Sequence, residues 1–127
     1  MKARAVVERD AVAGSGTLDE AALLILVGGD RNLAGELAQL FLDDLEPRVT
    51  EITAAVGARD ADRLQSGAHA LRGSAGSLRA ENVSAAAGAL EEIGRSRDLA
   101  GVLPALELLN RALASLRPRL VALAGRA

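Results

Sequence analysis

Residues 102–123 read VLPALELLNRALASLRPRLVAL, and large apolar side chains recur in them at alternating steps of four and three residues. The members of this series are Val102, Leu106, Leu109, Leu113, Leu116, Leu120 and Leu123. Such spacing places an apolar stripe along one side of a helix and is typical of a helix packed in a bundle. Pro104 suits the first turn of this helix, and Pro118 is expected to kink it.

Three stretches upstream carry the same kind of stripe. They predict a long helix over 31–57, a second helix that follows Asp60 and ends at a turn near 78–80, and a third helix over 81–95. Their apolar positions are, in chain order, Leu33, Leu37, Leu40, Phe41, Val49, Ile52 and Val56; Ala61, Leu64, Ala68, Leu71, Ala75 and Leu78; and Val83, Ala86, Ala87, Leu90 and Ile93. Four amphipathic helices joined by short loops predict an all-α fold, an antiparallel four-helix bundle.

A short additional N-terminal helix is predicted over 18–27, where it would cover one end of the bundle. Thr17 and Glu20 have the spacing of a capping box at its start, and Gly28 and Gly29 end it.

The long helix over 31–57 contains a proline. Asp30 can cap the start of this helix, as Asp60 can cap the next one. Pro47 is expected to bend the long helix rather than end it, because the apolar stripe keeps its phase across the proline.

The 127 residues suffice for one domain with a real core. Residues 1–16 end in AGSG and are interpreted as a flexible leader or linker, which leaves a bundle domain over 17–124.

Composition excludes several kinds of function. The net charge is −2 and Phe41 is the only aromatic residue, which argues against a nucleic-acid partner. The chain has no cysteine and one histidine, so a disulfide framework and a zinc site are not expected. No apolar run is long enough to span a bilayer and no signal peptide is recognisable, so we expect a cytoplasmic protein without a membrane partner.

The single histidine lies in AHALRGSAGSLRA, residues 68–80, with glycines close to it. On a helical wheel His69 lies roughly 130° from the centre of the apolar stripe, toward solvent. Gly73 and Gly76 fall on the same side as the histidine, as does Gln65. A glycine inside a helix costs about 1 kcal/mol relative to alanine. Because small residues leave room beside the histidine, their presence favours a histidine that a bulky partner approaches over an ordinary surface histidine.

Charged residues surround this histidine in the predicted fold. Arg72 lies at i+3 and Arg79 at the end of the helix, and antiparallel geometry brings Glu91 and Arg95 level with His69. A carboxylate beside an imidazole can fix its tautomer and leave the other nitrogen as the nucleophile. Glu91 and Arg95 could equally form a simple surface ion pair.

An exposed imidazole ringed by arginines suits a phosphoryl group, because guanidinium groups bind phosphate oxygens. The sequence contains neither a P-loop nor a kinase glycine-rich loop that could hold ATP. The phosphoryl donor is therefore expected to be another protein.

The stretch Ala68, His69, Ala70, Leu71, Arg72, Gly73, Ser74 resembles the motif of the histidine-containing phosphotransfer (HPt) domains of multistep phosphorelays. The resemblance covers residues 18–123. It implies that His69 accepts a phosphoryl group from the aspartate of a receiver domain and passes it to another receiver, in a response regulator or a hybrid histidine kinase. The receiver would bring magnesium, and this chain would bind no cofactor or metal.

The resemblance also suggests roles for the neighbouring residues. Arg72 stands where the family usually has lysine and would offset the phosphate charge, with Arg95 as a second cation. Glu91 would orient the ring but would also repel a phosphate. Gln65, Gly73 and Gly76 would face the partner. Arg79 replaces a frequent glycine of the family, which would alter the following loop or add a contact to the acidic receiver.

On this interpretation the chain is a phosphorylated carrier and not an autonomous enzyme, and we expect a monomer. Two alternatives remain at this point. One is a helical adaptor or kinase inhibitor that binds a signalling partner without phosphotransfer. The other is an enzyme that uses His69 as a general base.

Overall fold

The computed structural model describes residues 17–125, which form five α-helices joined by short connections. Their bounds are Glu20–Leu26 (α1), Arg31–Ala58 (α2), Ala61–Ser77 (α3), Glu81–Ser96 (α4) and Val102–Gly125 (α5). The leader predicted over 1–16 lies outside the described residues. Helices α2 to α5 form the predicted four-helix bundle, and α1 is the short additional helix, so the predicted fold class is confirmed.

The four long helices pack in a ring. The most extensive contact is between α3 and α4, which are consecutive and antiparallel, and α2 packs against both α3 and α5. Helix α4 closes the ring against α5. The close pairing of α3 and α4 matters most for the candidate site, because α3 carries the histidine.

The apolar stripes of α3 and α5 are buried as the sequence predicts. The stripe of α3 is buried at all six predicted positions, and only Leu106 of the α5 series remains half-buried. Burial of these side chains removes apolar surface from water and supplies the main stabilisation of the bundle.

The predicted stripe of α2 is partly wrong. Leu33 and Leu40 are 39% and 59% exposed, while Ala34, Ala38 and Leu45 are buried in their place. Small alanines on the inner face let the neighbouring helices approach closely, and the larger leucines are turned outward. A stripe chosen by side-chain size misses this arrangement.

Two of the predicted caps are confirmed, and one is corrected. The side chains of Asp30 and Asp60 accept hydrogen bonds from the amides of Leu33 and Arg63, at 3.0 and 3.1 Å. The first helix is capped not by Thr17 but by the side chain of Asp19, which accepts from the amide of Ala22 at 3.0 Å.

Two polar contacts at the start of helix α1 attach it to the bundle. The amide of Asp19 donates to the carbonyl of Arg79 at 3.0 Å, and Arg119 pairs with Glu20 at 3.2 Å. Leu23 of α1 is buried in the core. The short helix therefore covers the end of the bundle where α3 terminates.

The prolines lie inside continuous helices. Pro47 is within α2, Pro118 is within α5, and Pro104 is in the first turn of α5, as predicted. None of the helices in the described part of the chain has an apolar stretch long enough to cross a membrane.

Candidate functional site

His69 lies in the middle of α3 and points to solvent. Its neighbours Ala68 and Leu71 are fully buried, and their burial fixes the rotation of the helix. The imidazole is consequently 65% exposed. The outward position that the helical wheel predicts is the one observed.

Glu91 of α4 reaches this imidazole from the neighbouring helix. Its side chain is only 6% exposed, and its Oε2 lies 2.8 Å from Nδ1 of His69. An ionised carboxylate can only accept hydrogen bonds, so the proton of the neutral ring resides on Nδ1. Nε2 is then left without a proton and carries the free lone pair.

Two arginines share the same carboxylate. Arg72 Nε donates to Oε1 of Glu91 at 2.5 Å, and Arg95 Nη2 donates to Oε2 at 3.2 Å. Arg95 also binds Glu92 on its own helix. The Nη2 atom of Arg72 lies 3.3 Å from Nδ1 of His69. This last contact is not a hydrogen bond when Nδ1 already donates to Glu91.

These contacts keep Glu91 ionised despite its burial. The hydrogen bond from His69 is the largest cause that holds the pKa of Glu91 below the ordinary glutamate value. Burial acts in the opposite direction, and the hydrogen bond and charge of Arg72 lower the pKa further. A buried carboxylate that accepts hydrogen bonds from a histidine and two arginines is thus the centre of the site.

A shallow hollow of about 410 Å³ opens beside the imidazole. Its walls are Gln65, Ser66, His69, Glu91 and Arg95. Gln65 lies one helical turn before His69, as the sequence predicts. The hollow therefore gives a small anionic group access to the ring from the side of Arg95.

The glycines of α3 differ in their surroundings. A Cβ atom on Gly73 would meet nothing within 4 Å, so this position is open to solvent beside the histidine. A Cβ on Gly76 would lie 3.4 Å from Oγ of Ser84, and one on Gly67 would lie 3.2 Å from Cγ1 of Ile52. Gly73 therefore leaves the open space expected from the sequence, whereas Gly76 and Gly67 face neighbouring helices.

Arg79 is not part of the cluster around the histidine. It lies ten positions further along the chain, about 15 Å along a helix axis. Its backbone has a φ of 68°, in the left-handed region, and the amide of Ala80 donates to the carbonyl of Ala75 at 2.8 Å. Arg79 thus ends α3 in a conformation that glycine adopts more readily, and its carbonyl binds α1.

Some contributors to the site were not singled out by the sequence. The hydroxyl of Ser84 donates to the carbonyl of Arg72 at 3.1 Å. Gly88 and Gly94 of α4 lie against α3, where a Cβ would lie 3.2 Å from Cδ of Arg72 and 2.8 Å from the backbone nitrogen of Gln65, respectively. Gly88 and Gly94 each lie three residues from Glu91 on the same face of α4. This spacing is the sequence signal that could have identified the two glycines.

Within residues 17–125, no group of three or more histidine, cysteine and acidic side chains is placed to hold a metal ion. The cluster is instead an imidazole, a carboxylate and two guanidinium groups. Its chemistry is that of a nucleophile beside anion-binding donors.

Known proteins share this fold. The chain is similar to the crystal structure of histidine-containing phosphotransfer protein B (HptB) from Pseudomonas aeruginosa PAO1. The alignment covers 87% of this chain and 96% of that one, at 26% identity and a TM-score of 0.80. It also shares the fold of the HPT domain from the Hpt sensor hybrid histidine kinase from Shewanella, at 20% identity and a TM-score of 0.77, over 88% of this chain and 97% of that one. No curated protein matches the sequence. The sequence model of the Hpt domain matches residues 36–118, so the chain belongs to the Hpt domain family.

Proposed function

We propose that this chain is a histidine phosphotransfer carrier, in which His69 receives a phosphoryl group from a receiver-domain aspartate and passes it to a second receiver domain. The observation that carries the proposal is the solvent-facing imidazole whose Nδ1 is held by the buried carboxylate of Glu91. Membership of the Hpt domain family supports the same conclusion.

The transfer is an in-line displacement at phosphorus. The lone pair of Nε2 forms the new N–P bond while the P–O bond to the aspartate breaks, and the aspartate leaves as a carboxylate. No proton has to leave Nε2, because the ring proton resides on Nδ1. The phosphorylated ring keeps that proton and becomes formally positive, and the negative charge of Glu91 stabilises it across 2.8 Å. The reverse displacement on a second receiver restores the neutral ring.

The arginines offset the charge of the incoming group. A phosphoryl group adds about −1.5 to −2 charges near neutral pH. Arg72 binds Glu91 through Nε, and Arg95 binds it through Nη2. Each guanidinium group has five N–H donors, so each has further donors for a phosphoryl group. They can therefore bind phosphoryl oxygens and also prevent Glu91 from repelling the group.

The remaining parts of the reaction belong to the partner. A receiver domain of a response regulator or hybrid histidine kinase would supply magnesium and the acidic pocket, while this chain supplies the nucleophile and a surface that fits. Gly73 leaves open space beside His69 for that surface, and Gln65 forms the facing wall. The chain is a carrier in this scheme and has no kinase activity of its own.

The decisive experiment is phosphoryl transfer from candidate phosphorylated receivers to the wild-type chain and to His69→Gln. We expect the wild-type chain to take up a label that is labile in acid and stable in base, and His69→Gln to take up none. Equal labelling of both chains would refute the proposal. Binding of a receiver without labelling of His69 would favour a helical adaptor or kinase inhibitor of the same fold.

A further inference from the structure

The contact between α3 and α4 is closest at Gly94. A Cβ atom there would lie 2.8 Å from the backbone nitrogen of Gln65, 2.9 Å from the carbonyl oxygen of Ala61 and 3.0 Å from Cα of Gln65. All three are backbone atoms of α3, which no side-chain rotation can move aside. Ordinary contacts to carbon begin at about 3.5 Å, so a side chain at this position would force the two helices apart by roughly half an ångström or more.

This contact lies one helical turn from the pair His69 and Glu91. Gly94 follows Glu91 by three residues on the same face of α4, and Gln65 precedes His69 by four residues on the same face of α3. One turn of helix is about 5.4 Å long. A change in helix separation at Gly94 is therefore transmitted almost directly to the 2.8 Å hydrogen bond between Nδ1 and Oε2.

Glu91 has little freedom to compensate for such a change. Its side chain is buried, and its two oxygens are already shared among His69, Arg72 and Arg95. The distance between the helix backbones, and not the reach of a flexible side chain, then determines whether the carboxylate meets the ring.

The other glycine of α4 that faces α3 next to the cluster has a different role. A Cβ on Gly88 would lie 3.2 Å from Cδ of Arg72, an atom of a flexible side chain that is about half exposed. Arg72 can shift by a few tenths of an ångström without moving a helix. Because that Cδ is bonded to the Nε that holds Glu91, Gly88→Ala would disturb the cluster through Arg72 and is not a neutral control.

We infer that Gly94 is a positioning residue for the phosphoryl-accepting histidine: by lacking a side chain it sets the separation of α3 and α4 at which Glu91 holds the proton of His69 on Nδ1 and keeps Nε2 available. The role of Nε2 in this inference rests on the proposed function. The effect of helix separation on the tautomer of the ring does not depend on the proposed function. Gly94 touches neither the ring nor the phosphoryl group and acts only through Glu91.

The test compares the wild-type chain, Gly94→Ala and Gly57→Ala. Alanine raises the helix propensity at each position by about 1 kcal/mol, and Gly57 lies in α2 with nothing within 4 Å of its Cβ position. Because His69 is the only histidine, long-range ¹H–¹⁵N spectra of an untagged chain report its tautomer without ambiguity. The rate of phosphorylation by phosphoramidate, a small donor that needs no docking surface, is the second measurement.

We expect Gly94→Ala to lose the Nδ1–H tautomer and to accept phosphoryl groups about 10-fold more slowly, the lower end of the loss that follows when a metal-bound histidine loses the carboxylate that orients it. Gly57→Ala should keep the wild-type tautomer and rate. An unchanged tautomer and rate in Gly94→Ala would overturn the inference, as would the same tautomer change in Gly57→Ala.

If Gly94→Ala does not fold, two measurements on the wild-type chain test the inference about Gly94. A nuclear Overhauser effect between the α-protons of Gly94 and the amide of Gln65, together with the Nδ1–H tautomer, would support the inference. Absence of either would overturn it. Failure of phosphoramidate to label the wild-type chain would instead count against the proposed function, while the tautomer comparison would still test the role of Gly94.

Discussion

His69 and Glu91 form an asymmetric pair, in which an exposed imidazole donates at 2.8 Å to a carboxylate that is almost completely buried in the neighbouring helix. The buried member is held in place by two arginines, so it can orient the exposed one. A free surface histidine would rotate about its side-chain torsions and exchange tautomers. Here the ring is held with Nε2 toward solvent before any partner arrives, which lowers the entropic cost of reaching the geometry of attack.

Replacement of Glu91 by glutamine tests whether the carboxylate helps or hinders the reaction. The amide can still accept a hydrogen bond from Nδ1, but it cannot offset the positive charge of the phosphorylated ring. We expect Glu91→Gln to accept phosphoryl groups from phosphoramidate about 10-fold more slowly, at the lower end of the effects seen for carboxylates that orient metal-bound histidines. A faster rate would show that repulsion between Glu91 and the phosphoryl group outweighs its stabilisation of the ring.

Substitution of Gly73 separates docking from chemistry. A Cβ at this position meets nothing within 4 Å, so Gly73→Leu should fold and should gain up to about 1 kcal/mol from helix propensity. A leucine would nevertheless project beside His69 where a receiver must approach. We expect transfer from a phosphorylated receiver to slow by about 10-fold, equivalent to about 1.4 kcal/mol, with no change in the phosphoramidate rate. Equal slowing with both donors would place the effect on the ring itself.

The stability of the bundle should depend on pH through Glu91. The pKa of this group is lower in the folded chain than its ordinary value, chiefly because of the hydrogen bond from His69. Its contribution to stability is then fully present above the unfolded pKa and is lost as the pH falls through the folded pKa. Urea unfolding over a series of pH values should show wild type and Glu91→Gln converging in stability through that acidic window.

Glu51 provides the matched control for the pH series. The hydrogen bond from Arg63, at 2.9 Å, also holds the pKa of Glu51 below its ordinary value. Both side chains of this pair are about half exposed, so salt and water screen the interaction. The difference between wild type and Glu51→Gln should therefore change less with pH and should shrink further at high salt. A larger pH dependence for Glu51→Gln than for Glu91→Gln would contradict the assignment.

Arg79→Gly should stabilise the chain. Arg79 has a φ of 68°, a conformation that costs a residue with a side chain more than it costs glycine, and the gain is reduced by the greater entropy of glycine in the unfolded state. We expect a net increase of about 0.5–1 kcal/mol in the free energy of unfolding, measured in urea.

Arg97→Gly serves as the comparison for Arg79→Gly. Arg97 has a similar φ of 63° but also binds Asp62 at 2.7 Å, so its replacement should stabilise less. If Arg79→Gly destabilised the chain, its side chain would have to contribute more than its backbone conformation costs.

Local pattern was sufficient to predict most of the fold. The helix periods, the caps at Asp30 and Asp60 and the outward position of His69 follow from neighbours within one or two turns. The same kind of evidence failed where burial depends on what lies across the core. Leu33 and Leu40 point outward because Ala34 and Ala38 let another helix come close. The spacing of apolar residues within α2 does not reveal which of them face the core.

Helical periodicity is a property of residues close together in the chain, so the order of amino acids was enough to predict an all-α bundle that presents one histidine on its surface. The burial of Glu91 and its hydrogen bonds with His69, Arg72 and Arg95 become visible only in the folded chain. The same holds for the contact of Gly94 with the backbone of Gln65. His69 and Glu91 are 22 residues apart, and a hydrogen bond between them depends on the register and separation of two helices to within a fraction of an ångström. That separation is set by the packing of whole helix faces, which no local pattern contains.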